Sequence, residues 1–262
     1  QKHQGHGSQI LVHCFPRSYA CNPQDREGCA SSSKRDCYNH PVIANIRFLG
    51  AAHCLAALIL LCPIVHASGE GSGGTNAPEH LEKPYLILIS LDGFRWDFQD
   101  LTDTPALDRI AASGIRAERM VPVFPTLTFP NHYSIATGLY PSNHRIIGNT
   151  FPDQTLTDWY SLRDRNAVQE GSWYAGTPVW VAAEQAGMVT AAYYFVGTEA
   201  DIDNTPMSHW HQFDASVPGT ARVDKALEWL SMPELERPHF MTLYFEDVDS
   251  ATHIYGPGSE QS

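Results

Sequence analysis

The chain has 262 residues, with 17 Lys and Arg against 29 Asp and Glu, and a formal net charge of −12 at pH 7. Hydrophobic residues make up 43% of the sequence and aromatic residues 11%, which is enough to bury a core of ordinary size. The acidic balance argues against a protein that coats nucleic acid, since that role needs a basic surface, but it leaves open an enzyme that handles single nucleotides.

The composition changes sharply near residue 67. All the cysteines lie before that point, at Cys14, Cys21, Cys29, Cys37, Cys54 and Cys62. Residues 1–67 hold six Lys or Arg and three Asp or Glu, a net +3, whereas 68–262 hold eleven and twenty-six, a net −15. The chain starts with Gln and its first Met is Met120, so we expect that residue 1 is not a natural start.

Residues 1–46 show no sustained apolar periodicity, and their cysteine spacings match no zinc pattern with a two-residue gap. They stay unassigned, because a disulfide knot and a disordered or natively untranslated stretch both remain open. The Gly- and Ser-rich stretch within 68–83 reads as a linker. The first folded domain is therefore expected to begin at about residue 84.

Residues 47–67 have the layout of a secretory signal: Arg47, an apolar run over 48–65, and small residues at the expected cleavage site. This predicts export to the periplasm or the extracellular space. An uncleaved anchor with an extracytoplasmic domain is the alternative. We expect no stable membrane span, because His53 and Pro63 interrupt the run and a span needs about 20 apolar residues.

From residue 84 onward, strand and helix patterns alternate. The continuous apolar run of Tyr85–Leu91 predicts a strand buried on both faces, and Thr104 followed by Pro105 predicts a helix that ends before Gly114. Similar patterns predict strands at 188–195 and 239–245 and helices at 177–186 and 219–231. The alternation predicts an α/β fold with a mostly parallel central sheet and helices on both faces.

Two acidic positions follow predicted strands. Asp92 comes directly after the first, and Asp249 lies in the acidic run after the last, with His253 four residues further on. In parallel sheets, functional groups gather beyond the carboxyl ends of the strands. An offset of four lets a carboxylate and an imidazole face one point, which suits zinc. An Asp after a strand is also a common turn former or helix cap, so neither signal is specific alone.

A third position is the hydroxyl of Thr128, at the start of a helix predicted to run to about Thr137 and to stop at Gly138. A helix N-terminus offers N–H groups and partial positive charge, which suit an alkoxide or a phosphate. By spacing alone, the interpretation of Thr128 as a simple helix cap is favoured over a functional role.

Four motifs follow one another along this part of the chain: LDGF at 91–94, PTLTFPNH at 125–132, TGLYP at 137–141 and DSATHIYGP at 249–257. Together they closely resemble the nucleotide pyrophosphatase/phosphodiesterase family, within the alkaline phosphatase superfamily. The likeness covers roughly 84–262. It implies an α/β sandwich with two Zn²⁺ ions and a hydrolase that cleaves phosphodiester or pyrophosphate bonds of small nucleotides. The reaction would pass through a phosphothreonine intermediate and release a nucleoside monophosphate.

The resemblance also implies roles for individual residues. Thr128 would be the nucleophile and, with Asp92, would bind the zinc that activates it. Asp249 and His253 would be two of the three ligands of the other zinc.

For the substrate, the resemblance places Asn149 on a non-bridging phosphate oxygen. Phe129 and Phe213 would sandwich the base, although Phe213 stands where Tyr is usual in the family. Tyr244 would line the same pocket. His132 and Trp180 fall in motif-like text, and we expect both to be structural.

The family's zinc site needs three more ligands, an Asp-His pair and a distant His, which we expect beyond Ser262. The expected catalytic domain is therefore truncated at its C-terminus. Neither zinc site would close, so we expect the 262-residue piece to bind zinc poorly and to be inactive, and the full-length protein to be active.

Two further readings stay open. One is a superfamily relative of different specificity, a phosphomonoesterase or a diesterase for phospholipid or choline head groups. The other is a secreted protein that keeps the fold without the metals.

Overall fold

A computed structural model describes residues 9–15, 71, 73–156 and 158–260. These residues belong to one compact unit. The predicted signal segment at 47–67 lies outside them, so that prediction stays untested.

The centre of the unit is a five-stranded sheet with the order β1-β2-β7-β5-β6. Its strands are β1 (Gln9–Phe15), β2 (Tyr85–Leu91), β5 (Thr190–Tyr193), β6 (His209–His211) and β7 (Phe240–Phe245). β1 pairs antiparallel with β2, whereas β2, β7, β5 and β6 are parallel to one another. A separate antiparallel ribbon is formed by β3 (Thr150–Asp153) and β4 (Asp158–Ser161). The predicted mostly parallel α/β sheet is therefore confirmed.

Eight α-helices are found in the described ranges. They are α1 (Phe98–Leu101), α2 (Pro105–Ser113), α3 (Thr128–Thr137), α4 (Pro141–His144), α5 (Arg165–Gln169), α6 (Val179–Gln185), α7 (Gly219–Leu230) and α8 (Asp247–Tyr255). Short 3₁₀ turns cover Pro78–His80, Gly171–Trp173 and Ile202–Asn204. Within the part of the chain that the structure describes, no helix is both long and apolar enough to span a bilayer.

The predicted elements correspond to observed ones. Tyr85–Leu91 is β2, the strands predicted at 188–195 and 239–245 are β5 and β7, and the helices predicted at 177–186 and 219–231 are α6 and α7. β7, α6 and α7 are one to three residues shorter than predicted, and β5 has half its predicted length because its apolar run continues into the following loop, where the backbone no longer pairs.

The core lies on both sides of strands β5 and β7. All four residues of β5 are buried, and so are the first five of β7. Because successive side chains of a strand point to opposite faces, both faces of these strands are covered. α7 packs against β5 and β7, and α6 packs against β5. Trp180 and Trp229, 1% and 2% exposed, are among the largest side chains of this core.

The described part of the predicted linker makes specific contacts. Asn76 is buried; its Nδ2 donates to the carbonyls of Leu235 and Arg237 at 3.2 and 2.8 Å, and its Oδ1 accepts the Val189 N–H at 2.8 Å. One amide thereby ties the loop before β7 to the start of β5. The domain boundaries remain a prediction.

His239 is a buried polar side chain at the start of β7. Its ring is 1% exposed and stacks on Tyr85 at a centroid distance of 4.6 Å, and neither ring nitrogen makes a hydrogen bond within the described residues. Burial lowers the pKa of His239, against a smaller opposing effect of the backbone at Pro84 and Lys83. Burial also lowers the pKa of His144 and His209.

These histidines make the stability sensitive to acid. Their folded-state pKa values lie below the unfolded value of 6.5, so the unfolded chain binds more protons as the pH falls. We expect stability to be fully present above about pH 6.5 and to decline below it.

The His239→Phe variant keeps the stacking and removes two unpaired nitrogens. It should gain about 1 kcal/mol at pH 7 and decline less towards pH 5. Urea denaturation between pH 8 and 5 measures both effects, and a variant with the wild-type pH slope would contradict the argument.

Candidate active site

A cleft of about 460 Å³ opens beside β7 and the N-terminal end of α3. Seven of the eight predicted site residues line it: Thr128, Phe129, Asn149, Phe213, Tyr244, Asp249 and His253. They come from α3, α8, the end of β7 and two loops, and they are up to 125 positions apart in the sequence, from Thr128 to His253. The fold thus brings the predicted set together.

Asp92, the eighth residue, is joined to the cleft through Tyr244. It follows the last residue of β2, is 5% exposed, and accepts a hydrogen bond from the Tyr244 hydroxyl at 2.8 Å on Oδ2. Its Oδ1 accepts the N–H of Gly93 at 3.0 Å. Burial, and then the charge of Asp92, raise the pKa of Tyr244 well above its ordinary value. The phenol therefore stays protonated and donates to the carboxylate.

Asp249 and His253 lie one turn apart on α8. His253 Nε2 is 3.5 Å from Asp249 Oδ2, and the side chains are 73% and 25% exposed. The turn after Asp92 packs directly against this helix, because a Cβ added at Gly93 would come within 2.7 Å of the Asp249 Cα. Glycine at position 93 is thus what allows β2 and α8 to meet.

The donor types fit zinc, since carboxylate, imidazole and alkoxide are all ligands that this ion accepts. Within the described residues, however, no group of three or more His, Cys, Asp or Glu side chains is placed to hold a metal. Asp249 and His253 are a pair of neighbouring donors on α8, whereas Asp92 follows β2 and Thr128 begins α3.

Thr128 is the first residue of α3, and the residue at the N-cap is Leu127. The alternative in which Thr128 caps the helix is therefore not what the structure shows. Two neighbouring side chains brace this helix start. Asn131 accepts the Val123 N–H at 2.8 Å and donates to the carbonyls of Pro125 and Leu127 at 3.0 Å, which fixes the loop before the helix.

His132 provides the second brace. It is fully buried, with Nδ1 2.7 Å from the Thr128 carbonyl and Nε2 2.7 Å from the Ser90 hydroxyl. Because a carbonyl only accepts, Nδ1 carries the proton. His132 therefore connects the backbone of Thr128 to β2, two residues before Asp92.

Asn149 also contacts the start of α3. Its Oδ1 accepts the N–H of Phe129 at 3.1 Å. The amide group of Asn149 is thereby oriented, and its NH₂ is the end that can donate to a ligand.

The two rings predicted to stack on the base line the same cleft but pack against different aromatic residues. Phe129 packs edge-on against Tyr160 at 6.0 Å, whereas Phe213 packs against Tyr194 at 4.9 Å and Tyr244 at 6.4 Å. Both rings also contact the hydrophobic core, which holds them in place.

The structure adds charged lining residues that the sequence did not single out. Glu246, in the acidic run, forms a bidentate ion pair at 2.6 and 2.7 Å with Arg222, which is 2% exposed. Arg163, Arg165 and Glu199 also line the cleft. No sequence pattern links Arg165 to Glu199, 34 residues away, so only the fold reveals this pair.

The sequence pattern of the type I phosphodiesterase / nucleotide pyrophosphatase family matches residues 86–262. The chain belongs to this family. It is 40% identical over 190 residues to venom phosphodiesterase CdcPDE of Crotalus durissus collilineatus, covering 72% of this chain and 23% of that protein. It is 38% identical over 194 residues to human ectonucleotide pyrophosphatase/phosphodiesterase family member 1, covering 73% and 21%.

Solved structures of the same family are similar to this chain. Murine ectonucleotide pyrophosphatase/phosphodiesterase 5 superposes with a TM-score of 0.62 at 30% identity, and the human protein with 0.63 at 32%. In each case the match covers 66% of this chain and 46% of that chain. The chain thus spans less than a quarter of the length of the curated relatives named above and under half of these solved chains.

The contact between Gly93 and Asp249 can be tested with a matched pair of variants. Gly93 and Gly138 both have positive φ, +71° and +70°, but only Gly93 has backbone atoms in the way of a Cβ. We expect Gly138→Ala to cost about 1 kcal/mol of unfolding free energy and Gly93→Ala about 2 kcal/mol more. Chemical denaturation of the two variants measures the difference, and equal costs would contradict the close approach of β2 and α8.

Proposed function

We propose that this protein hydrolyses phosphodiester or pyrophosphate bonds of small nucleotides, with Thr128 as the nucleophile. The observation that carries the proposal is the single cleft in which Thr128 meets an oriented amide, two aromatic rings and a carboxylate–imidazole pair. The relatives named as phosphodiesterases support it. A further solved relative is an inactive threonine-to-alanine form of the murine protein in complex with AMP.

In this proposal, Asp92 and Thr128 hold one zinc ion, and Asp249 and His253 contribute to the other. When bound, zinc lowers the pKa of a coordinated hydroxyl and stabilises negative charge on phosphate oxygens. Tyr244 orients Asp92 through its hydroxyl, and the packing at Gly93 keeps Asp249 close to the same turn.

Each of these residues then has its own role in the reaction. The Thr128 hydroxyl loses its proton to solvent as its oxygen attacks phosphorus and forms a P–O bond, and the bond to the leaving group breaks with its electron pair kept by the leaving-group oxygen. Water subsequently cleaves the phosphothreonine and releases the nucleoside monophosphate. The Asn149 NH₂ donates to a non-bridging oxygen, and the N-terminal end of α3 adds partial positive charge. His132 and Asn131 hold the helix start still, so little reorganisation accompanies the attack.

Phe129 and Phe213 bind the base by stacking. Stacking tolerates any base, because every base has a π face, and it contributes affinity without metal. The proposed preference for a nucleotide over a choline head group depends on these two aromatic rings, which can stack on a base.

We also propose that the protein is exported, with an uncleaved anchor as the alternative. Support comes from the signal-like segment at 47–67 and from the venom phosphodiesterases among its relatives.

Binding of AMP to the 262-residue chain tests the site. We expect Phe129→Ala to weaken AMP binding about tenfold, because one stacking wall is lost. Trp159→Ala, which removes a 62% exposed aromatic residue outside the cleft lining, should leave the affinity unchanged. Ligand-observed NMR with AMP and glycerophosphocholine measures both, and tighter binding of glycerophosphocholine would favour a choline-type diesterase instead.

Zinc titration tests the donor count. With two donors per ion, the 262-residue chain should bind zinc far more weakly than a closed four-ligand site and turn over a chromogenic nucleotide diester very slowly. Asp249→Asn should weaken zinc binding further, whereas Asp103→Asn, an exposed carboxylate elsewhere, should not. Calorimetry with Zn²⁺ measures the affinities, and robust turnover by this chain would refute the expectation of weak zinc binding and inactivity.

A further inference from the structure

The part of the cleft wall next to Phe213 is held in place by a buried carboxylate, that of Glu199. Glu199 is 5% exposed at its side chain, its Oε1 accepts the Phe213 N–H at 3.0 Å, and its Oε2 accepts from Gln169 at 3.2 Å and from Arg165. Three donors, two from α5 and one from the loop that carries Phe213, thus hold one side chain. This fixes both the stacking ring and the guanidinium relative to each other.

Arg165 is only partly engaged by this contact. Its side chain is 32% exposed and lines the cleft, and Nη2 donates to Glu199. Its Nε is buried and meets no acceptor within the described residues. A guanidinium cannot lose its charge in a protein, so the N–H groups on the exposed part of the Arg165 side chain favour a ligand that supplies acceptor atoms.

The charged residues near Arg165 also favour a ligand that accepts hydrogen bonds. Arg163, an exposed residue, lines the cleft two positions before Arg165 and has no ion-pair partner in the described part of the chain. The lining holds two guanidinium groups and three carboxylates, but Glu199 already accepts three hydrogen bonds and Glu246 is paired with Arg222. This side of the cleft offers donors to a ligand.

Resting on the proposed nucleotide function, we propose that Arg165, held by Glu199, reads the edge of the stacked base and selects oxopurines over adenine. Guanine and hypoxanthine present two neighbouring acceptors, O6 and N7, which match the fork of a guanidinium. Adenine presents an amino donor in place of O6, which opposes the arginine. The stacking rings bind any base, and Arg165 discriminates among them.

The first test uses the unchanged 262-residue chain and four ligands without added metal. We expect GMP and IMP to bind about tenfold more tightly than AMP, and 7-deaza-GMP to lose most of this advantage because it lacks the N7 acceptor. Ribose 5-phosphate, which has no base, should bind most weakly. Ligand-observed NMR titrations give the dissociation constants.

The second test changes the protein. Arg165→Lys keeps the positive charge but removes the fork, so the ratio of the AMP and GMP dissociation constants should fall towards one. Arg116→Lys is the control, because the Arg116 side chain is similarly exposed and is also paired with a carboxylate, Asp100, outside the cleft lining. This control should keep the full ratio. If Arg165→Lys does not fold, as circular dichroism would show, the ligand series on the unchanged chain decides.

The outcomes separate the two proposals. If AMP binds as tightly as GMP and IMP, and all three bind more tightly than ribose 5-phosphate, the base selection is wrong and the nucleotide site stands. If no nucleotide binds more tightly than ribose 5-phosphate, the proposed stacking site itself fails. An unchanged preference in Arg165→Lys assigns the selection to another residue and overturns the role of Arg165.

Discussion

The site depends on the parallel pairing of β2 with β7. In this register Ser90 lies opposite Tyr244 and Leu91 opposite Phe245, and the Asp92 N–H donates to the Phe245 carbonyl at 2.9 Å. Both strands therefore end at the same edge of the sheet. Asp92 and the start of α8 come together there, although they are more than 150 residues apart in the chain. A shift of one residue in the register would turn Tyr244 away from Asp92, because side chains alternate between faces.

The helix that carries Thr128 is attached to β2 by one buried side chain, and two asparagine side chains fix its start. His132 connects its first carbonyl to Ser90 on β2, and Asn131 and Asn149 fix the loop before it and the N–H of Phe129. Such contacts are directional, and buried polar groups without partners are costly, so few arrangements satisfy them all. The motif around Thr128 thus contributes at least as much to positioning as to chemistry.

Local signals predicted the elements well and the lining of the cleft only in part. β2 and α3 have the predicted bounds, because an apolar run and a helix start with a glycine stop are patterns of neighbouring residues. β6 has three residues and gave no such signal. The family resemblance supplied the eight candidate residues, seven of which share one cleft. It did not supply Arg165 and Glu199, whose contact depends on how α5 packs against the turn after β5.

The sequence by itself determined the mostly parallel α/β fold, the hydroxyl at the start of α3 and the acidic positions after two strands. Backbone periodicity and helix-end preferences act over a few residues, so they can be read in one dimension. Only the tertiary structure decided which charges meet: Glu246 pairs with Arg222, Asp92 with Tyr244, and Glu199 with Arg165. Those pairings follow from strand register and loop packing, because the energy of a buried charge depends on groups distant in the chain.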